Sequence, residues 1–391
     1  MSQLLTGRWA ETKEALLEGL QGTKRSVMAS TLENTRKYLA ESASTGATSA
    51  GNVATLNRVI LPVIRRVMPT VIANELVGVQ PMTGPVGQIH TLRVRYSDSL
   101  SGTFGATAGE EALSPFKIAE GYSANNGAAA TAASTASLEG AAGKRMSIQI
   151  LKQTVEAKTR KLSARWTFEA AQDAQAQQGI DIEAEIMAAL AQEITAEIDQ
   201  EVLASLASLA GTASEVYDQS DVSGTATFVG DEHAALAVQI NRVSNLIAQR
   251  TRRGAGNWAV VSPLALTILQ SATTSAFART TEGTFEAPTN TKFVGTLNNA
   301  MKIYVNTYST DDQDILIGYK GSSEADAAAF YCPYIPLMSS GVVLDPSTFE
   351  PVVSFMTRYG YVELSNTASS LGNAADYLGK VAITASAVKF K

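Results

Sequence analysis

The sequence predicts an α+β protein built from an extended hairpin arm, a long central helix and a later α/β region. Three observations carry that prediction. β-favouring segments at Ile89 to Tyr96 and Met146 to Leu162 flank the Gly- and Ala-rich stretch SANNGAAATAASTASLEGAAG, Ser123 to Gly143. Ile182, Ile186, Leu190, Ile194, Ile198, Val202 and Leu206 recur at every fourth position, as on one continuous helix. A helical pattern from Glu232 to Arg250 leads through the turn TRRGAGN into the apolar strand Trp258 to Ser262 and another helix, Pro263 to Ala272, an order typical of helices packed on a sheet.

Taken in order, the chain opens with a helical pattern from Glu11 to Leu39, where Leu16, Leu17, Leu20, Val27 and Leu32 stand among Lys, Arg and Glu. Its apolar face is thin and needs a partner, so docking to another protein or removal is expected. Ser42 to Asn52, SASTGATSAGN, has almost no apolar content and reads as a flexible linker and a boundary. Val59 to Met68 suggests a short amphipathic helix bearing Arg65 and Arg66 and stopped by Pro69, after which Thr70 to Val77 resumes an apolar run. Turn signals in GVQPMTGPVGQ, Gly78 to Gln88, lead into the first arm strand. The tip of the arm is poor in large apolar side chains, so it is expected to lack a core of its own and to reach a neighbour.

Helices follow from Ser163 to Gln178 and from Ile182 to Leu209, separated by Gly179 and with Asp181 as N-cap of the second. Four residues turn a helix by about 400°, so the apolar stripe drifts by about 40° per step and different neighbours must cover its two ends. Glu183, Glu193, Glu197 and Glu201 fall on the remaining surface. Gly211 to Gly224 reads as a polar loop, and further strands are expected at Lys302 to Asn306, Asp314 to Tyr319, Ala328 to Tyr331, Val352 to Tyr361 and Val381 to Phe390.

Composition narrows the function. The 391 residues are 45% apolar, ample for a buried core, and the net charge of -6 gives no reason to expect tight binding to phosphate backbones. One Cys, Cys332, excludes an intrachain disulfide, and two His leave few metal ligands. The start, MSQLLTGRWAETKEALLEGL, has acids where a signal peptide needs an apolar core, and no apolar run approaches the roughly 18 residues that span a bilayer. A soluble protein without an export signal, suited to a reducing cytoplasm, is the expectation.

No enzyme motif stands out. The nearest phosphate-cradle candidate, RRGAGN at Arg252 to Asn257, precedes a strand instead of opening a helix, and a helix-to-strand turn accounts for it better. The acids of the long helix lack accompanying His or Cys and read as a solvated or salt-bridged face. His90 and His233 read as strand-face or surface imidazoles, Cys332 as a small buried apolar residue, and Phe330, Tyr331 and Tyr334 around two prolines as a rigid corner in core or interface. A bacterial surface protein, suggested by Ala, Thr and Ser richness, is opposed by the missing export signal.

Several segments are similar to a known family. Gly78 to Tyr96 (GVQPMTGPVGQIHTLRVRY), Val155 to Ile186 (VEAKTRKLSARWTFEAAQDAQAQQGIDIEAEI) and Ile317 to Leu337 (IGYKGSSEADAAAFYCPYIPL), followed by DPSTFEP and FMTRYG, resemble the major capsid proteins of T-even-like tailed phages, in family order. The motif positions are Gly78, Gln80, Pro81, Gly318, Tyr319, Lys320, Gly321, Tyr334, Arg358 and Tyr359. Ala328 departs from an expected Gly, and the arm between Tyr96 and Met146 is short for the insertion of the closest relatives, which speaks against an extra subdomain.

The resemblance implies an HK97-like fold, with no catalysis, cofactor or metal. Residues 1–41 would be a helical, scaffold-docking propeptide, 42–88 an N-terminal arm, and 89–162 the hairpin called the E-loop. Residues 163–224 would form a peripheral domain with the spine helix, 225–350 mainly an axial domain, and 351–391 returning strands. Tyr96, Phe104, Phe116, Tyr122 and Met146 would belong to the intersubunit arm, and the seven stripe residues to the spine. KYLAES has the form cut by a prohead protease, with Leu39 two positions before Glu41 and the cut before Ser42. Partners would be further copies in hexamers and pentamers of an icosahedral shell assembled in the host cytoplasm and enclosing DNA in the virion, without sequence-specific binding or membrane. Scaffold, portal, protease and decoration or vertex proteins would also be partners. An encapsulin-like cellular shell is the alternative.

Overall fold

The structure is a computed structural model that describes residues 13, 14, 17, 22, 25–34, 72–110, 112, 118–140, 142–178, 181–221, 229–272, 277–279, 292–298, 300–310, 313–324, 326–364 and 374–388. Each described residue between 13 and 34 is helical. Then come α1 (Ala73–Leu76), β1 (Gly78–Val79), β2 (Val86–Tyr96), α2 (Thr135–Leu138), β3 (Met146–Glu156) and β4 (Lys158–Arg165). Helices α3 (Phe168–Gln178) and α4 (Ile182–Leu209) precede β5 (Glu215–Tyr217) and α5 (Val229–Thr251). The chain continues through β6 (Trp258–Val261), α6 (Pro263–Ser271), β7 (Phe277–Arg279), β8 (Lys292–Leu297), β9 (Met301–Val305) and β10 (Ile315–Gly318). It closes with β11 (Ala329–Ser339), β12 (Val343–Leu344), β13 (Pro351–Glu363) and β14 (Leu378–Ile383). The helix expected at Val59 to Met68 lies outside the described residues.

Two compact units divide the chain. Unit 1 comprises Met1–Gly87, Val155–Ala204 and Phe330–Val362, and unit 2 comprises Gln88–Thr154, Ser205–Ala329 and Glu363–Lys391. Residues 330–350 thus lie with most of the long helix, whereas the sequence reading grouped them with 225–329.

In unit 1, a sheet runs β1-β11-β13-β12, with β4 also paired to β13. Along β13 buried and half-buried side chains alternate from Pro351 to Tyr359, the period of 2 expected where one face of a strand meets a core. Here the sequence reading of β4 needs correcting. Lys158 to Arg165 does not return along the arm but pairs antiparallel with Val352 to Tyr359, Leu162 opposite Phe355. It also takes the residues from Ser163 that were expected to begin a helix, so α3 starts at Phe168. The expected Phe330–Tyr334 corner is instead part of the extended β11.

The N-terminal helix also departs from expectation. Leu17, Val27, Met28 and Leu32 are each 5% exposed or less, so its apolar face is covered within its own chain instead of waiting for another protein.

In unit 2, β2 and β3 form a two-stranded ribbon, and the segment between them has a core after all. The Tyr96 and Tyr122 rings meet at a tilt of 52° with centroids 4.4 Å apart, among buried Ala106, Ala112 and Ala119. Small residues make this possible by letting backbone pack on backbone: a Cβ on Gly127 would lie 1.9 Å from the Ser101 carbonyl oxygen. Few large side chains did not mean no core; they meant a thin one.

The rest of unit 2 is a seven-stranded mixed sheet, β5-β14-β10-β6-β9-β8-β7. Strand β6 lies between antiparallel β10 and parallel β9, and all four of its residues are buried. Leu236, Ile240, Val243 and Ile247, at helical spacing along α5, pack with Ile268 and Leu269 of α6 over Ile303, Ile315, Ile317 and Val381 of the sheet. Ser262 caps α6, its hydroxyl accepting from Ala265 N at 3.2 Å, with Pro263 at the first helical position. Strands β5, β7 and β8 were not expected; β5 lies in the stretch read as a polar loop.

Candidate functional site

In unit 1, β4, α4 and β13 converge on a charged network. Arg160 donates from Nε to the Tyr359 hydroxyl at 2.6 Å, from Nη1 to Glu197 at 2.5 Å and from Nη2 to Glu201 at 2.6 Å. The Tyr359 hydroxyl in turn donates to Glu201. Burial would raise the Glu201 carboxyl, but the hydrogen bonds from Arg160 and Tyr359 outweigh it and hold the carboxyl below its ordinary range. Burial and then Glu201 push the Tyr359 phenol upward. Every member is engaged, which makes this a brace and leaves no base free for acid–base chemistry.

Arg358, next along β13, lies over the Tyr334 ring with its guanidinium carbon 5.3 Å from the centroid. Gly78 pairs in parallel with Phe330, and the segment runs on beside β11 with Gln80 N donating to Tyr331 O at 3.1 Å. The motif positions Gly78, Gln80, Tyr334, Arg358 and Tyr359 are therefore all built onto one sheet.

The stripe of α4 is half-buried at Ile182 and Ile186 and buried from Leu190 through Ile194, Ile198, Val202 and Leu206. Asp181 Oδ1 accepts from Glu183 N at 3.1 Å at the start of this helix. The sequence reading missed Asp199, which is 1% exposed. Its Oδ1 accepts from Ile72 N at 2.9 Å, Oδ2 is buried without a partner, and burial pushes the carboxyl up to about 7. Its position beside the apolar stripe was the available signal.

In unit 2 the remaining motif residues are structural too. The Asn257 side chain mimics a strand neighbour, donating to Lys320 O at 2.6 Å and accepting from Lys320 N at 3.0 Å. Arg253 meets Asp326 at 2.6 Å, and the Tyr377 hydroxyl donates to Asp326 at 3.2 Å. Tyr319 stacks on Tyr377 at 6.3 Å, Lys320 pairs with Glu324 at 3.3 Å, and Gly321 N donates to Asp326 O at 2.9 Å. The RRGAGN segment is the turn from α5 to β6. His90 is exposed, but His233 is 1% exposed with Nδ1 2.6 Å from the Ser271 hydroxyl, correcting the surface reading of that imidazole. Cys332 is buried, and desolvation pushes its thiol up to about 11.

Among the described residues, no group of three or more His, Cys, Asp or Glu could hold a metal, and no helix is long and apolar enough to cross a membrane.

What the arm offers is different in kind. Every residue from Arg145 to Ile150 is exposed, and Met146, Ile148 and Ile150, on one face of β3, are 51%, 66% and 66% exposed. An isolated two-stranded ribbon is marginal in water, and these exposed side chains give it an apolar face. Of the expected arm residues, Tyr96 and Tyr122 are internal to the tip core and Phe104 is half-buried, which leaves Met146 as the exposed one. Phe116, Leu39, Glu41 and Ser42 lie outside the described residues. Ile148 and Ile150 were missed, although the alternation in MSIQI shows them.

Residues 53–383 match the family model described as major capsid protein Gp23. The major capsid protein of Vibrio phage KVP40 is 30% identical over 84% of this chain and 80% of that one. The major capsid protein of Enterobacteria phage T4 is 29% identical over 83% of this chain and 78% of its own. Among solved structures, one titled as the capsid of Myoviridae phage XM1 covers 80% of this chain and 91% of that one at 10% identity and a TM-score of 0.45, a likeness too loose to argue from.

Proposed function

The chain belongs to the Gp23 major capsid protein family, and from that premise we propose how it forms the head shell of a tailed phage: copies grip one another through the hairpin arm. It is a structural subunit of the virion that associates with itself. The observation that supports the arm as the gripping element is the exposed Met146, Ile148 and Ile150 face on a ribbon with little to bury alone. Weak contacts of this kind add up when each is repeated around a closed symmetric shell. The relatives named above are phage proteins, which favours the viral shell over a cellular compartment.

We further read unit 1 as the peripheral domain of an HK97-like fold, with α4 as its spine, and the seven-stranded sheet of unit 2 as the axial domain of hexamers and pentamers. Family membership and the order of elements support this reading. The charge of -6 suits a container that holds DNA without gripping it. Assembly in the host cytoplasm with scaffold, portal and vertex proteins, and protease cutting between Glu41 and Ser42, belong to the same proposal.

Mass spectrometry of purified virions tests both levels. The chain should be the most abundant head protein there, beginning at Ser42. Its absence from virions would defeat the shell reading, and a full-length chain in infectious particles would defeat the cleavage.

A further inference from the structure

We propose that the Asn126–Gly127 pair of the arm tip is a self-modification site: the Gly127 nitrogen closes on the Asn126 side chain, and the isoaspartate that results loosens the tip core as the protein ages. This chemistry does not depend on how copies assemble.

Asn126–Gly127 is the single Asn-Gly pair of the chain. A Cβ on the following residue hinders ring closure between an asparagine side chain and the next main-chain nitrogen, and Gly has none. Two contacts favour closure here. Ala128 N donates to Asn126 Oδ1 at 3.3 Å, a turn that folds the side chain across the Gly127 amide and stabilises the charge gathering on Oδ1 when a nucleophile adds to Cγ. Among the described residues no acceptor engages the Gly127 N–H, and Asn126 is only half-buried, so hydroxide and water reach the pair.

Hydroxide takes the Gly127 amide proton, the nitrogen bonds to Cγ, and the side-chain nitrogen takes a proton from water and leaves as ammonia, giving a five-membered succinimide. Water then adds to one of the two ring carbonyls. Breaking the new bond to Cγ gives aspartate. Breaking the original peptide bond instead gives isoaspartate, whose main chain runs through Cβ and Cγ and is longer by one methylene.

The packing keeps the labile pair in place and transmits its product. A Cβ on Gly127 would stand 1.9 Å from the Ser101 carbonyl oxygen, so the position admits only Gly. Asn126 N donates to Gly121 O at 3.0 Å, and Phe104 clasps both sides of the turn, its N donating to Gly127 O at 3.0 Å and its O accepting from Gly121 N at 3.2 Å. The methylene enters between Asn126 N and Gly127 O, so it parts the two ends of this clasp by about 1.5 Å, one carbon–carbon bond. Gly121 precedes Tyr122, so the displacement reaches the tip core.

The test ages the purified full-length chain at pH 6 and pH 8.5, following each asparagine by peptide mass mapping and the backbone by hydrogen–deuterium exchange. Asn126 should gain about one mass unit, mostly as isoaspartate and faster at pH 8.5. It should react at least tenfold faster than Asn257, whose amide Lys320 holds on both sides. Residues 97–110 and 118–127 should lose at least tenfold of their protection in step with it, with 229–271 unchanged. Asn126→Gln, whose longer side chain would have to close a six-membered ring, should keep its starting protection. The wild type held at pH 6, where less of the amide is deprotonated, is the control if that variant starts less protected. Reaction at Asn126 no faster than at Asn257 would overturn the site. Complete modification with aspartate alone or with unchanged exchange, or an equal loss of protection in Asn126→Gln, would overturn the loosening.

Discussion

Arg160 Nε donates to the Tyr359 hydroxyl at 2.6 Å across the β4–β13 ladder, on the diagonal, because the residue opposite Arg160 is Thr357. The same hydroxyl donates to Glu201 of α4, so one phenol ties a strand pair to the long helix.

Tyr359→Phe keeps the ring and removes this joint. Arg160 and Glu201 remain paired with each other and partly solvated, so the loss is that of hydrogen bonds to charged groups, about 1–3 kcal/mol. Urea denaturation of the variant should show a lower midpoint with an unchanged slope. An unchanged midpoint would mean that the network is decoration.

Asp199 makes unit 1 sensitive to pH. Its carboxyl is raised from 3.8 to about 7 by burial, so the folded state holds its proton more tightly than the unfolded chain does. The stability this lends is full below about pH 4 and fades as pH rises towards 7, by an amount on the order of 4 kcal/mol. Asp199→Asn keeps the acceptor for Ile72 N and cannot ionise. Denaturation midpoints at pH 5 and pH 8 should differ for the wild type, lower at pH 8, and lose most of that difference in the variant.

Gly318→Ala should damage unit 2. A Cβ there would stand 2.1 Å from Trp258 Cζ2, inside a strand whose neighbours are buried, and overpacking of this kind costs about 1–3 kcal/mol or more. Thermal unfolding followed by tryptophan fluorescence should register a lower melting temperature; a wild-type melt would contradict the packing described.

Ile148→Asp combined with Ile150→Asp separates folding from association. Both side chains are 66% exposed, so the circular dichroism spectrum and the melt of the isolated chain should be nearly unchanged. Sedimentation velocity should show the loss of species larger than the monomer. Assembly at the wild-type level would move the gripping surface elsewhere.

Much of this molecule was legible before folding. Period 4 along Ile182 to Leu206 pointed to α4, and the helix read from Pro263 is α6, because both signals are local. What stayed hidden depends on distant partners. Nothing within Lys158 to Arg165 says that it pairs with β13 instead of continuing the arm, since both strands would read as extended. The tip core escaped because alanines and glycines bury little area each, and their value lies in close backbone approach. Asp199 and Asn34 are polar residues whose burial follows from what packs on them. For the assembly face, MSIQI was readable, but the larger aromatic residues Tyr96 and Tyr122 drew the expectation, and they turned inward.

Electron cryomicroscopy of virions at a resolution that traces side chains tests the central claim most directly. The account predicts that the shell density follows this chain and that Met146, Ile148 and Ile150 of each copy are covered by a neighbouring copy. A shell traced by a different chain, or one in which that strand stands bare to solvent, would contradict it.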